Sequence, residues 1–390
     1  MGLSQLHALP RDQRFFAQPE VTPGTFVRAT STSAFKAKKF AASYDQDRID
    51  RTDNRASRSL YERIDGKYKV DWEIDSYVIP SGTAGTAPDQ EDLYQAGFGT
   101  ETVSGGVSVT YSLNSTQSGR QTVSLTRWAQ IVMETLRGCN VNSIKFSGKG
   151  GDPFMVNFKG QAWGLCYTGS STLNGAVVAS ATNIVQTVDQ YNFEAHATFG
   201  SIVQVGANTN GGTGYMVTGR SGASLTLEAS SSSADAADVL PYAPSETCVG
   251  SPIGGIVGSL TVDSVSIPIV GFEVELNNND KVIDDESFVS GPTEIIPGAR
   301  SVTGSFDIRI RRDMTRYIGH RKNSSFTTRD IALVMGTTAG RIATINIDYA
   351  EVKFSSLEFG GEDDSATLNV PFVARASTST AADEMTLVFT

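Results

Sequence analysis

Two stretches of this 390-residue chain carry the same strand pattern at the same distance from an aromatic anchor. The first reads Gly66-Lys67-Tyr68-Lys69-Val70-Asp71-Trp72-Glu73-Ile74. The second reads Gly298-Ala299-Arg300-Ser301-Val302-Thr303-Gly304-Ser305-Phe306-Asp307-Ile308. Apolar and polar residues alternate in both, so each strand buries one face and wets the other. Phe40 precedes Gly66 by the interval at which Phe272 precedes Gly298 (66 − 40 = 298 − 272 = 26). A later element repeats too. Ile144 to Gly150 leads to Val156-Asn157-Phe158, and Leu357-Glu358-Phe359-Gly360-Gly361 leads to Val370-Pro371-Phe372. Two copies of one β unit in one chain favour symmetric assembly over catalysis.

A chain of this length exceeds one ordinary core, so two or three domains are expected. Short alternating segments between Gly, Ser and Thr turns place it in the mainly β class. The net charge of −10 opposes nucleic-acid binding, because an acidic surface releases no phosphate counterions. No apolar run reaches about 18 residues, so no membrane span is expected. Met1–Gln18 lacks the apolar region of a secretory signal. Cys139, Cys166 and Cys248 are odd in number and far apart, which suits reduced core residues.

Along the chain, residues 1–24 read as an irregular arm ending at Pro23-Gly24. A charge-dense segment runs from Asp45 to Asp65. It reads either as a solvated loop or as a loop pairing its charges with a neighbouring subunit. Pro88 and the acids Asp89, Glu91 and Asp92 predict a short helix ended by Gly97. A second short helix is predicted at Met314–Ile318, capped by Asp313, with His320 at its negative end. Residues 166–255 are rich in Gly, Ser, Thr and Ala, and read as a small β meander followed by a flexible linker at Ala229–Ala234.

The segments Val78-Ile79-Pro80-Ser81-Gly82, Gly85-Thr86-Ala87-Pro88, Leu93-Tyr94-Gln95-Ala96-Gly97-Phe98 and Val141–Gly150 resemble phage tail tube proteins. So do Phe272–Asn278 and Ile296–Gly304 in the second half. The resemblance is one of strand spacing and turns, over roughly residues 25–165 and 256–390. It implies two tandem β-sandwich or barrel tail-tube domains, each with a short flanking helix. The expected division is an arm at 1–24, a tube domain at 25–165, an inserted β module at 166–255 and a second tube domain at 256–390. It further implies a structural protein of a long-tailed phage, whose domains join side by side into rings that stack into a hollow tail tube. Six domains per ring and two per chain give three chains (6 ÷ 2 = 3) with pseudo-sixfold symmetry. The implied partners are the chain itself, terminator and tail-end proteins, a tape measure protein and DNA in transit. The implied location is the virion tail, assembled in the host bacterial cytoplasm.

On this reading Asp71, Glu73, Asp75 and Asp307 are candidates for the lumen, where carboxylates would let DNA slide past. Polar strand faces ordinarily meet solvent or a neighbouring subunit, and that reading stands beside the lumen one. Candidates for contact between subunits are Asp45, Asp47, Arg48, Arg51, Arg55 and Arg58, with Asp284, Asp285 and Glu286. No cofactor, metal or enzymatic activity is expected. His7, His196 and His320 lack zinc-site spacing. Gly148-Lys149-Gly150-Gly151 lacks the following Ser/Thr and helix of a phosphate loop and reads as a strand turn. The competing readings are a terminator or adaptor protein that forms one ring, and a carbohydrate-binding β-sandwich adhesin.

Overall fold

The computed structural model describes residues 11–50, 63–115, 121–175, 177–186, 200–233, 238–283, 291–310, 328–352, 357–358 and 366–390. Its first half contains β1 (Arg14–Pro19), β2 (Ala34–Phe35), β3 (Lys39–Asp50), β4 (Arg63–Tyr77), α1 (Glu91–Phe98), β5 (Gly99–Ser104) and β6 (Ser108–Leu113). There follow β7 (Val123–Ala129), β8 (Val132–Cys139), β9 (Ser143–Lys149), β10 (Met155–Ala162) and β11 (Gly164–Thr168). The middle holds β12 (Ser171–Thr172), β13 (Val177–Val185), β14 (Ile202–Val205), β15 (Tyr215–Ser221), β16 (Ser224–Ser233) and β17 (Asp238–Pro241). The second half begins with β18 (Gly258–Val262), β19 (Val265–Ile267), β20 (Ile269–Asn277), β21 (Lys281–Ile283) and β22 (Glu294–Ile296). It ends with β23 (Ser301–Arg309), β24 (Thr328–Met335), β25 (Ala343–Val352), β26 (Leu357–Glu358), β27 (Thr367–Ala374) and β28 (Thr386–Phe389).

The repeat in the sequence is a repeat in topology. In the first half β3, β4, β10 and β9 pair in that order, and β2, β1, β7, β8 and β11 form the facing layer. In the second half the same places are held by β20, β23, β27 and β26, and by β19, β18, β24, β25 and β28. The anchors keep register. Phe40 lies opposite Ile74, and Phe272 lies opposite Phe306. The second repeated element is offset from the sequence alignment. Phe158 pairs with Ile74 as Val370 pairs with Phe306, so Val370 corresponds to Phe158, two residues from the match read in the sequence. A two-residue slip preserves the buried face, which is why alternation alone does not reveal it.

Between the layers lies one shared apolar core. Val70, Trp72 and Ile74 of β4 meet Leu93, Tyr94 and Phe98 of α1, and the cluster runs on through Leu276, Val302 and Phe306. Tyr94 packs within 5.5 Å of the rings of Tyr111, Phe158 and Phe389, so the helix bridges the halves. The helix differs in its end from the prediction. Gly97 lies inside it, and Gly99 at φ 103° is the left-handed cap. A Cβ at Gly97 would stand 2.3 Å from Ile144 Cδ1, so this glycine serves close packing. The predicted second helix at 314–318 lies outside the described residues.

Two further readings change. The stretch read as an irregular arm contains β1, with Phe15, Phe16 and Ala17 buried. Both its faces are covered, so it lacks the alternation by which a strand is recognised. Ala229–Ser233 belongs to β16. The meander itself is present as adjacent β14, β15 and β16 within a six-stranded sheet, which has its own core around Val203, Tyr215, Val217 and Leu225. Cys139, Cys166 and Cys248 form no disulfide.

Candidate functional site

The halves meet edge to edge. β9 pairs antiparallel with β20 from Ser143–Asn277 to Lys149–Gly271. Gly150 N–H donates to Val270 O at 3.1 Å at one end of this seam, and Asn278 N–H donates to Asn142 O at 2.8 Å at the other. The result is one sheet running from β3 through the seam to β27. Rungs cross it unbroken: Lys39, Asp75, Asn157, Lys145, Glu275, Thr303 and Val373 stand in line. One residue along, Phe40, Ile74, Phe158, Ile144, Leu276 and Val302 do the same and are all buried. Because side chains alternate, every odd-numbered residue of β4 and β23 faces the polar side. Asp71, Glu73, Asp75 and Asp307 therefore share one face.

On that face carboxylates are held by amides and lysines. Gln161 Nε2 donates to Asp71 Oδ1 at 3.0 Å, and Asn369 Nδ2 donates to Asp307 Oδ1 at 2.7 Å. Asn157 donates to both Asp75 and Glu73. Glu73 also sits 3.0 Å from Lys159 and 3.7 Å from Lys39. The Asn157 hydrogen bond, followed by Lys159, holds the Glu73 carboxyl below its ordinary range despite partial burial. Across the seam Lys145 lies 2.5 Å from Glu273, and Ser143 Oγ donates to Glu275 at 2.8 Å. Lys39, Lys145 and Lys159 are thus engaged with carboxylates.

The described parts of the charged segment, Asp45–Asp50 and Arg63–Asp65, form a two-stranded ribbon from the far ends of β3 and β4. Its charges pair with one another: Arg48 with Asp65 at 3.7 Å, Arg63 with Asp50 at 2.7 Å, and Lys69 with Asp45 at 4.0 Å. Asp47 packs its Cβ against Gly66. Arg51, Arg55, Arg58, Asp284, Asp285 and Glu286 lie outside the described residues. The ribbon also presents a feature that sequence reasoning missed: Ile49 and Ile64 face each other across it, more than half exposed. The seam was missed as well. Its signal was present as Lys145 and Lys149 on one face of β9 and Glu273 and Glu275 on one face of β20.

Asn278 fastens the seam from beneath. Its buried Nδ2 donates to Gly97 O at 3.0 Å and to Val141 O at 3.1 Å, both in the first half. Among the described residues no helix is long and apolar enough to cross a membrane. Two like halves joined into one sheet, with a continuous polar face and β3 at its end, make a mainly β protein. Residues 203–374 match the family model for phage tail tube proteins, from β14 to the end of β27. That match supports a structural role in a phage tail tube. No curated protein matches the chain.

Proposed function

We propose that this chain is the tail tube subunit of a long-tailed phage, with two fused tube domains that supply two of six positions in a ring. The observation that carries this reading is the seam. β9 has β10 on one side and β20 on the other, and β20 holds the place in its half that β3 holds in the first. A contact of this kind is heterologous: one edge of a unit joins the opposite edge of the next. Repeated between chains, it would bring β3 of one copy to the β26 side of another. Three chains would then close the ring, and the exposed β3 edge would be paired.

On this reading 25–165 and 256–390 are the tube domains, with β1 of the 1–24 stretch built into the first, and 166–255 is an insertion. The polar face with Asp71, Glu73, Asp75 and Asp307 lines the lumen, where weakly negative, internally neutralised charge lets DNA pass. The ribbon with Asp45, Asp47 and Arg48 reaches a neighbouring chain. The protein has no catalytic role. Its partners are its own copies, the terminator and tail-end proteins and the tape measure protein, in a virion tail assembled in the host cytoplasm.

Electron microscopy of the concentrated protein tests this. Stacked hollow rings with three strong and three weaker lobes are expected. Six equal large lobes would mean six chains per ring. Single rings that never stack would favour a terminator or adaptor, and monomers would sink the tube reading.

A further inference from the structure

The charged ribbon has a counterpart in the second half. Ile49 lies opposite Ile64 in β3 and β4, and Lys281 lies opposite Ile296 in β21 and β22. Both pairs keep the interval that separates the aromatic anchors (272 − 40 = 281 − 49 = 296 − 64 = 232). Each ribbon begins with the same one-residue slip. Gln46 pairs with Tyr68 but Arg48 with Asp65, and Asn277 pairs with Ser301 but Lys281 with Ile296. A bulge of this kind bends a strand pair and increases its twist. The two ribbons therefore leave their sheets alike, and Asp280 holds the place of Arg48 (280 − 48 = 232).

The second-half ribbon is docked on the first half. Asn140 Nδ2 donates to Asp280 Oδ2 at 2.8 Å, and Asp280 N–H donates to Asn142 Oδ1 at 2.8 Å. Gly291 lies against Tyr68, where a Cβ would stand 2.3 Å from Cζ of the ring. The partner of Asp280 has a counterpart too. Asn140 N–H donates to Gln161 O, and Gln161 lies opposite Asp71 of β4. Glu351 lies opposite Val373, and Val373 lies opposite Thr303 of β23. Asp71 and Thr303 are again equivalent (303 − 71 = 232), so Glu351 holds the place of Asn140. Glu351 is a buried carboxylate whose Oε2 accepts from Arg375 Nε at 3.1 Å and Nη2 at 2.9 Å. Arg48 is mostly exposed, with Asp65 at 3.7 Å.

We propose that Arg48 of one copy pairs with Glu351 of the next, at the place where Asp280 meets Asn140 within a chain. The occupant is a second copy of this chain, and the proposal rests on the ring reading above. Continuity with the seam supports it: the step that brings Asp280 to Asn140, repeated between chains, brings Arg48 to Glu351. Charge supports it too, because the two residues that hold these outer places are opposite in sign. The pair also fixes the order of halves around the ring. Asp280 brought to Glu351 of another copy would set two carboxylates together, so a second half accepts a first half and rejects another second half.

Charge reversal tests the pairing. Arg48→Glu is expected to raise the protein concentration for half-assembly about tenfold or more, read by sedimentation, with the melting temperature of the monomer unchanged. Adding Glu351→Arg is expected to restore assembly to within about threefold of the parent. A second measurement does not require a cation at the buried position. Chains with Arg48→Cys and chains with Glu351→Cys, both in a Cys248→Ser background, are mixed, assembled and treated with a short bifunctional thiol reagent. A linked pair of chains is expected from the mixture and from neither chain alone. Rings that form at parent concentrations with Arg48→Glu overturn the pairing and leave the ring reading standing. So does a folded double variant that assembles no better than Arg48→Glu alone, a mixture that assembles unlinked, or linkage between chains of one kind. A parent protein that stays monomeric at every concentration overturns both.

Discussion

Asn278→Ala tests whether the two halves are held as one body. The Asn278 side chain is buried and its amide nitrogen makes two hydrogen bonds, to Gly97 O at 3.0 Å and to Val141 O at 3.1 Å. Gly97 O belongs to the last turn of α1, where helix carbonyls have no intrahelical partner. Truncation removes the donor and leaves both acceptors buried. Each lost hydrogen bond is worth about 0.5–1.5 kcal/mol net, so the sum is roughly 1–3 kcal/mol. For a chain of this size unfolding entropy is on the order of 0.8 kcal/mol per kelvin, so 3 kcal/mol lowers Tm by about 4 °C. Thermal and denaturant unfolding, followed through Trp72 in the shared core, measure it. A loss below about 0.5 kcal/mol would refute the argument, because the carbonyls would then be finding other partners at no cost.

Gly97→Ala should destabilise by about 1–3 kcal/mol through overpacking against Ile144 and Val141, although the same change in an open helix interior stabilises by about 1 kcal/mol. A rise in Tm would refute the close-packing account. Burial, with Glu91 and Glu101 nearby, pushes the Asp92 carboxyl up to about 7 from an ordinary value near 3.9. The folded chain then binds more protons than the unfolded one between about pH 4 and pH 7, so this group's contribution falls as pH rises through that window. Asp92→Asn should flatten that fall and raise stability at pH 8, and an unchanged pH profile would contradict it. Asp71→Lys with Glu73→Lys should give assembled protein a salt-sensitive affinity for double-stranded DNA that the parent lacks, measured by filter retention at two ionic strengths. Equal retention by parent and variant would remove the polar face from the lumen.

Alternation is a local property, and it made the polar and buried faces of β4 and β23 legible from residue order alone. Asp71, Glu73, Asp75 and Asp307 were placed on one face because a strand turns its side chains every second residue. The equal spacing from Phe40 and Phe272 disclosed the duplication, since a repeated fold keeps its anchor intervals. Other features depended on contacts distant in the chain. The strand β1 was hidden because Phe15, Phe16 and Ala17 are covered on both sides, by the main core and by Ala34 and Ala243. Gly97 read as a helix stop because its packing partner, Ile144, is 47 residues away (144 − 97 = 47). Residue order determined the class of fold, the repeat and the identity of the wet face. The union of β9 with β20 and the Asn278 fastening were decided by tertiary structure, because pairing between strand edges depends on which backbone groups remain free after each half has folded.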